Sequence, residues 1–308
     1  MITADNLSMI YGKRRALDNV SFEVPEGEIF GFVGPNGAGK TTTLRILAAL
    51  LEPTSGHASI GGVDVARQPD LVHSRLGYMP DFFGVYDQLT VSEYLDFYAA
   101  CYRQAKERRV KVVAQLLELI GLTERRDQMV DTLSRGLKQR LCLARALVHD
   151  PVVLLLDEPA SGLDPRARVD MREILKELRR MGKTIIISSH ILPELTELCT
   201  MIGIIDHGRM QVTGSVQEVV QRLSAGRRLR ITVVGDSDAA VEVLKPLASV
   251  RNVDTDNGAI EATYEGDDSA AAEILQALTA AGIKVSGFSQ VDGGLEEAFM
   301  RATSDEVG

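Results

Sequence analysis

The segment Gly34-Pro35-Asn36-Gly37-Ala38-Gly39-Lys40-Thr41 constrains this chain more than any other. It has the form GxxxxGK[ST] and lies between a continuous apolar run, Ile29–Val33, and an apolar helical stretch over 44–51. Glycines let a backbone bend until several N–H groups converge on phosphate oxygens, and the positive end of the next helix adds its dipole. Lys40 can then reach β- and γ-phosphates, the Thr41 hydroxyl can ligate Mg²⁺, and Thr42 belongs to the same cradle. The four fixed positions match by chance in on the order of one in a hundred chains of this length. A chance match would not also fall between a buried strand and a helix, so the loop predicts a nucleoside triphosphate site on an α/β scaffold.

Other short apolar runs supply the rest of that scaffold. Residues 152–156, 184–188 and Met201–Asp206 lack polar alternation, so they fit parallel strands buried on both faces. Met171, Ile174, Leu175 and Leu178 recur at helical spacing between the first two. The stretch up to Val24 and residues 56–60 read as short strands of an N-terminal antiparallel part. Residues 85–150 hold no such run, and Val113, Leu116, Leu117 and Ile120 mark a helical insertion. From about 226 the pattern restarts: strands over 229–234, 260–264 and 284–288, helices over 239–247, 270–281 and 295–302. The expected organisation is a domain over 1–225 with a helical subdomain at about 85–150. A small α+β domain, ferredoxin-like, is expected over 226–308.

The run 152–156 ends in Asp157-Glu158. Side chains alternate along a strand, so the two carboxylates point in different directions and suit different tasks. Asp157 suits the Mg²⁺ shell. Glu158 suits polarising an attacking water as general base. Farther upstream, Ser134 in Leu133-Ser134-Arg135-Gly136-Leu137-Lys138-Gln139-Arg140 is a candidate N-cap for a helix with a basic face.

Charge narrows the partners. The net charge is −9 over 308 residues. Residues 226–308 carry 7 Lys+Arg against 15 Asp+Glu, leaving 27 against 28 elsewhere, so the acidic character belongs to the C-terminal part. That argues against nucleic acid as a partner, which needs a basic footprint. No run approaches the ~18 consecutive apolar residues of a membrane helix. The first residues do not read as a signal peptide. Cys101, Cys142 and Cys199 form no CxxC pattern, which fits a reducing compartment rather than a disulfide framework.

The phosphate loop, the Leu133–Arg140 segment (which resembles the ABC signature) and the strand ending in Asp157-Glu158 together resemble an ABC ATPase subunit, over the chain to about residue 220. The resemblance implies ATP and Mg²⁺ as cofactors, with Gly34, Pro35, Asn36, Gly37, Ala38, Gly39, Lys40, Thr41 and Thr42 around the phosphates. It implies a second copy of the chain packed head to tail. Ser134 and Gly136 of one copy then face the γ-phosphate held by the other. Tyr11 looks like the aromatic that stacks on adenine, Ser161-Gly162-Leu163-Asp164 like the loop that crosses the dimer, and His190 like the switch histidine. His57, His73, His149 and His207 match no such slot and are expected to be structural. Asp81 occupies the slot where the family usually has a glutamine that senses Mg²⁺. A carboxylate is still a hard oxygen ligand, so Asp81 joins Thr41 and Asp157 as a metal candidate. Arg135 and Leu137 stand where the family typically has Gly and Gln.

Such subunits power separate transmembrane permease subunits from the cytoplasmic face of the membrane. Phe82, Phe83, Tyr86 and Tyr94 are candidates either for the permease groove or for packing of the helical part. The single ATPase domain with a C-terminal appendage containing Leu295-Glu296-Glu297-Ala298-Phe299 looks like bacterial exporters. The rival reading is a soluble ABC ATPase acting on ribosomes or DNA. Such proteins commonly carry two ATPase domains or a long coiled coil, and this sequence has one phosphate loop and no long heptad run.

Overall fold

The computed structural model describes residues 1–223 except 83, 85 and 87, and residues 227–291 except 236, 257, 258 and 267. The chain divides into two compact units, Met1–Val216 and Gln217–Gly308.

The first unit opens with two long strands, β1 (Ile2–Tyr11) and β2 (Arg14–Val24), followed by β3 (Ile29–Val33) and helix α1 (Lys40–Leu47). Strands β4 (Ser55–Ile60) and β5 (Val63–Asp64), helix α2 (Pro69–Arg75) and strand β6 (Leu76–Met79) come next. Helices α3 (Val91–Cys101), α4 (Lys106–Leu119) and α5 (Arg135–Leu147) form the helical insertion. The chain then alternates β7 (Val153–Asp157), α6 (Pro165–Arg180), β8 (Thr184–Ser189), α7 (Leu192–Thr196), β9 (Met201–Asp206) and β10 (Arg209–Ser215); α8 (Val216–Leu223) begins at the last residue of this unit and otherwise belongs to the second.

Two sheets result. One is antiparallel in the order β2-β1-β4-β5, and the other is six-stranded in the order β10-β9-β3-β8-β7-β6. In the second sheet β9, β3, β8, β7 and β6 pair parallel, and β10 closes one edge as an antiparallel partner of β9. Every residue of β3, β7 and β8 is buried, as strands covered on both faces require. Phe22 of β2 joins the two sheets: it stacks on Phe30 of β3 with ring centroids 5.1 Å apart and meets Phe32 at 5.5 Å. An Asp18 carboxylate on β2 accepts from Arg15 and, across to β10, from Arg209, each at 2.7 Å.

The second unit runs β11 (Arg227–Val233), α9 (Ser237–Leu244), β12 (Val250–Asp256), β13 (Ala259–Tyr264), α10 (Asp268–Ala280) and β14 (Val285–Val291). Its sheet is antiparallel in the order β12-β13-β11-β14, a β-α-β-β-α-β succession. Leu229, Ile231, Leu244, Ile260, Tyr264, Ile274 and Leu278 form its core.

Strands β6 and β12 are among the elements that the sequence reading did not assign. Strand β6 was not expected, because its four residues are too few to register as an apolar run. Strand β12 was missed because Arg251, Asn252, Asp254 and Asp256 interrupt it with polar groups. The helix expected over 295–302 lies outside the described residues. No described helix is long and apolar enough to cross a membrane.

Gly77 shows how tightly the helical insertion meets the sheet. A Cβ there would lie 2.3 Å from the Ala146 carbonyl oxygen of α5 and 2.8 Å from Leu154 Cδ2. Gly77→Ala is therefore expected to cost about 1–3 kcal/mol through overpacking, read as a lowered midpoint in urea unfolding.

Candidate active site

The phosphate loop leaves the buried carboxyl end of β3 and enters α1, whose N-cap is Gly39 at φ 113°. Two glycines are dictated by close approach. A Cβ on Gly34 would sit 2.3 Å from the Ile205 carbonyl oxygen, and one on Gly39 would sit 2.6 Å from Leu17 Cδ2. The loop borders a cavity of about 590 Å³ lined by Tyr11, Arg14, Pro35, Asn36, Gly37, Gly39, Lys40, Thr41, Thr42, Arg45, Asp81 and Glu158, with Ala16. Gly34 and Ala38 shape the loop without lining the cavity: Gly34 N–H donates to Ser189 O at 3.3 Å, and Ala38 O accepts from Gly208 N–H at 2.9 Å. Tyr11 reaches the cavity from the end of β1, just before the turn at Gly12.

Lys40 is buried, and its ammonium donates to the Gly34 carbonyl at 2.6 Å and the Pro35 carbonyl at 3.2 Å. Its Nζ is 3.6 Å from Glu158 Oε1. Burial lowers the pKa of this ammonium below the ordinary lysine value, opposed by the negative charges of Glu158, Asp157 and Asp81. Glu158 also takes a contact from the other side, with His190 Nδ1 3.0 Å from Oε2 and 3.2 Å from Oε1. The carboxylate thus stands between an ammonium and an imidazole.

Parallel pairing aligns the acids with their supports. Register sets Asp157 of β7 opposite Ser188 of β8. The Ser188 hydroxyl donates to Asp157 Oδ1 at 2.6 Å and accepts the Glu158 N–H at 3.0 Å. Glu158 has φ 50°, a left-handed conformation that costs a side-chain-bearing residue of order 1–3 kcal/mol. Ser188 and the Ser161 N–H, which donates to Glu158 O at 3.1 Å, hold it there.

The residues fit a hard divalent cation. Asp157 is buried, yet its Oδ2 has no hydrogen-bond partner, an arrangement that usually marks a missing ligand. Among the described residues no cluster of three or more His, Cys, Asp or Glu could hold a metal alone. Mg²⁺ in general takes one or two protein oxygens and completes its shell with phosphates and water. Thr41 and Asp81 border the same cavity.

Ser134 and Gly136 do not line this cavity. Ser134 is the N-cap of α5, and its hydroxyl makes no capping bond. Gly136 packs where a Cβ would meet Ala167 Cβ at 3.1 Å. Sequence reasoning did not find Arg14, Arg45 or Ser188. Arg14 lies three residues past Tyr11 and its Nη2 approaches Gly37, but only the hairpin brings it there.

The proposed aromatic groove residues separate. Tyr94 is fully buried and so packs the helical subdomain, Phe82 is 88% exposed, Tyr86 is 53% exposed, and Phe83 lies outside the described residues. His73 and His149 make the structural contacts expected of them, to the carbonyls of Ala48 and Leu76.

A glycine-rich loop at the end of a parallel strand, with an acid pair ending a second strand, defines a P-loop ATPase. The family model described as "ABC transporter" matches residues 17–161, and that described as "ATP-binding protein DrrA1-3-like, C-terminal domain" matches residues 214–303. The linearmycin resistance ATP-binding protein LnrL of Bacillus subtilis is 36% identical over 82% of this chain and 81% of its own length. The daunorubicin resistance ATP-binding protein DrrA2 of Streptomyces coeruleorubidus is 32% identical over 98% of this chain and 94% of its own. A solved ATP-binding subunit of an ABC transporter superposes with a TM-score of 0.66 at 29% identity, covering 73% of this chain and 93% of that one. A dimeric ATP-binding cassette in a post-hydrolysis state, bound to ADP and Pi, superposes at 0.64 with 27% identity, over 70% and 99%. This chain belongs to the family of ATP-binding subunits of ABC transporters, and its activity is ATP hydrolysis coupled to transport.

Ser188→Ala removes the donor to Asp157 and the acceptor for the Glu158 N–H together. The expected result is a loss of about 1–3 kcal/mol, read by urea unfolding without nucleotide.

Proposed function

We propose that this chain drives export through separate transmembrane permease subunits, working as a pair of copies at the cytoplasmic face of the membrane. The observation that carries the reading is the cavity that gathers Tyr11, the phosphate loop, Asp81 and Glu158 beside the unpaired Asp157 Oδ2. Residues 1–225 act as the ATPase domain, with the helical subdomain at about 85–150, and 226–308 as the appended α+β domain. The resistance proteins that resemble the chain over nearly its whole length support an exporter of small bioactive compounds.

Tyr11 stacks on adenine. Backbone N–H groups within residues 36–42 and the Lys40 ammonium surround the phosphates, where their charge offsets that developing on the transferred group. Thr41, Asp157 and Asp81 would hold Mg²⁺, which when bound neutralises phosphate charge. Glu158 takes a proton from the attacking water, and His190 fixes the carboxylate's orientation through Nδ1. Ser134 and Gly136 of the second copy present a hydroxyl and a helix N-terminus to the γ-phosphate. Their absence from the copy's own cavity supports this composite arrangement.

Glu158→Gln keeps the shape and hydrogen-bonding reach of the side chain while removing the base. It is expected to bind ATP, to lose at least about a hundredfold in turnover, and to accumulate as an ATP-dependent dimer in size-exclusion chromatography. A variant that hydrolyses ATP at the parental rate would contradict the base assignment.

A further inference from the structure

The loop that follows Glu158 is gripped from two sides, and one grip comes from a residue that departs from the family pattern. The Arg135 guanidinium, at the first turn of α5, lies flat against Gly162. A Cβ on that glycine would be 2.5 Å from Arg135 Cζ and 2.6 and 2.8 Å from its two Nη atoms. One turn along α5, buried Gln139 donates through Nε2 to the Ser161 carbonyl at 3.1 Å. Gly136 sits between them, close to Ala167 and Leu163. The opposite side is held by α6. Arg168 Nε donates to the Leu163 carbonyl at 3.1 Å, and the Asp164 carboxylate caps α6 by accepting the Ala167 N–H at 2.9 Å.

The same α6 reaches the element after His190. Arg168 Nη1 pairs with Glu194 of α7 at 2.6 Å, and Arg172 pairs with Glu197. A continuous set of contacts therefore runs from the start of α5, through the loop 158–164, to α6 and α7. Both partners of the acid–imidazole contact lie on it: Glu158 begins the loop, and His190 lies just before α7.

We propose that Arg135 is a positioning residue for hydrolysis: its guanidinium plane presses on Gly162 and holds the loop 158–164 in the conformation that aims Glu158 at the attacking water. The inference rests on the reading of Glu158 as the base. A glycine at position 135 has no side chain to make this contact. A guanidinium can, because it is planar and weakly hydrated and so packs flat on a peptide while its other face stays in solvent. Arg135 is exposed, so its loss leaves no buried polar group behind. The contact is directional: it acts on where the base points, and the nucleotide cavity of the same copy does not include Arg135.

The test is steady-state ATPase kinetics of the full chain carrying Arg135→Ala, Arg135→Lys or Glu158→Gln, measured side by side. Misplacing a catalytic group by a fraction of an ångström is expected to cut kcat about tenfold or more. Arg135→Ala should therefore lose kcat while its KM for ATP stays within about twofold, since Ser134 and Gly136 remain to face the other copy's γ-phosphate and the cavity of its own copy does not include Arg135. Arg135→Lys should fall with it, because an ammonium on a flexible stem cannot press flat on Gly162. The unchanged KM doubles as the check that each variant is folded. A parental kcat in Arg135→Ala overturns the positioning role, and so does full recovery in Arg135→Lys or a rise in KM at unchanged kcat. If these occur while Glu158→Gln is inactive, the base assignment survives and only the role of Arg135 is lost. Parental turnover in Glu158→Gln removes the base and this inference with it.

Discussion

The hydrogen bond from Ser188 to Asp157 is the contact on which the site's geometry turns. It forms because β7 and β8 run parallel in the one register that sets residue 157 opposite 188. A slip of one residue would turn every side chain of β7 to the other face and break this contact. The same sheet places β3 on the other flank of β8, so the phosphate loop and the acid pair leave the same end of the sheet with one strand between them. Two fully buried neighbours and the phenylalanine stack beneath make that register expensive to change.

Electrostatics then explain how a site so rich in charge holds its side chains in place. Lys40 is buried and turns its ammonium toward two backbone carbonyls and Glu158. Glu158 is divided between Lys40 and His190. These contacts satisfy charges that would otherwise be stranded in a region of low dielectric. Lys40 and Glu158 are thus linked directly across the loop. The left-handed backbone at Glu158 is the structural trace of that link, because only a sharp turn after β7 lets the carboxylate face the phosphate loop.

Much of this was legible in the sequence, for identifiable reasons. The phosphate loop carries its mechanism locally: the glycines are required by contacts with Ile205 and Leu17, and the helix dipole and Lys40 lie within the same few residues. The buried strands announced themselves as unbroken apolar runs. Strand alternation predicted different directions for Asp157 and Glu158, whereas β7 ends at Asp157 and the left-handed turn at Glu158 sets the direction of its carboxylate. What stayed hidden depends on contacts distant in sequence. Ser188 supports the acids only through strand register. Arg14 and Arg45 meet the cavity only after the hairpin and α1 fold together. Strand β12 was masked by its own polar residues, and Tyr94 could be read as groove or core until the packing of α3 resolved it.

Ser134 and Gly136 are not among the residues that line the cavity holding the phosphate loop and Glu158. Under the proposed function, α5 of a second copy supplies them and hydrolysis is a property of the pair. The most direct test is the ATPase rate of the purified chain over a wide range of protein concentrations at saturating ATP. The account predicts a specific activity that falls toward zero on dilution and rises to a plateau as copies associate. A specific activity independent of concentration, in protein shown by light scattering to be monomeric, would contradict it.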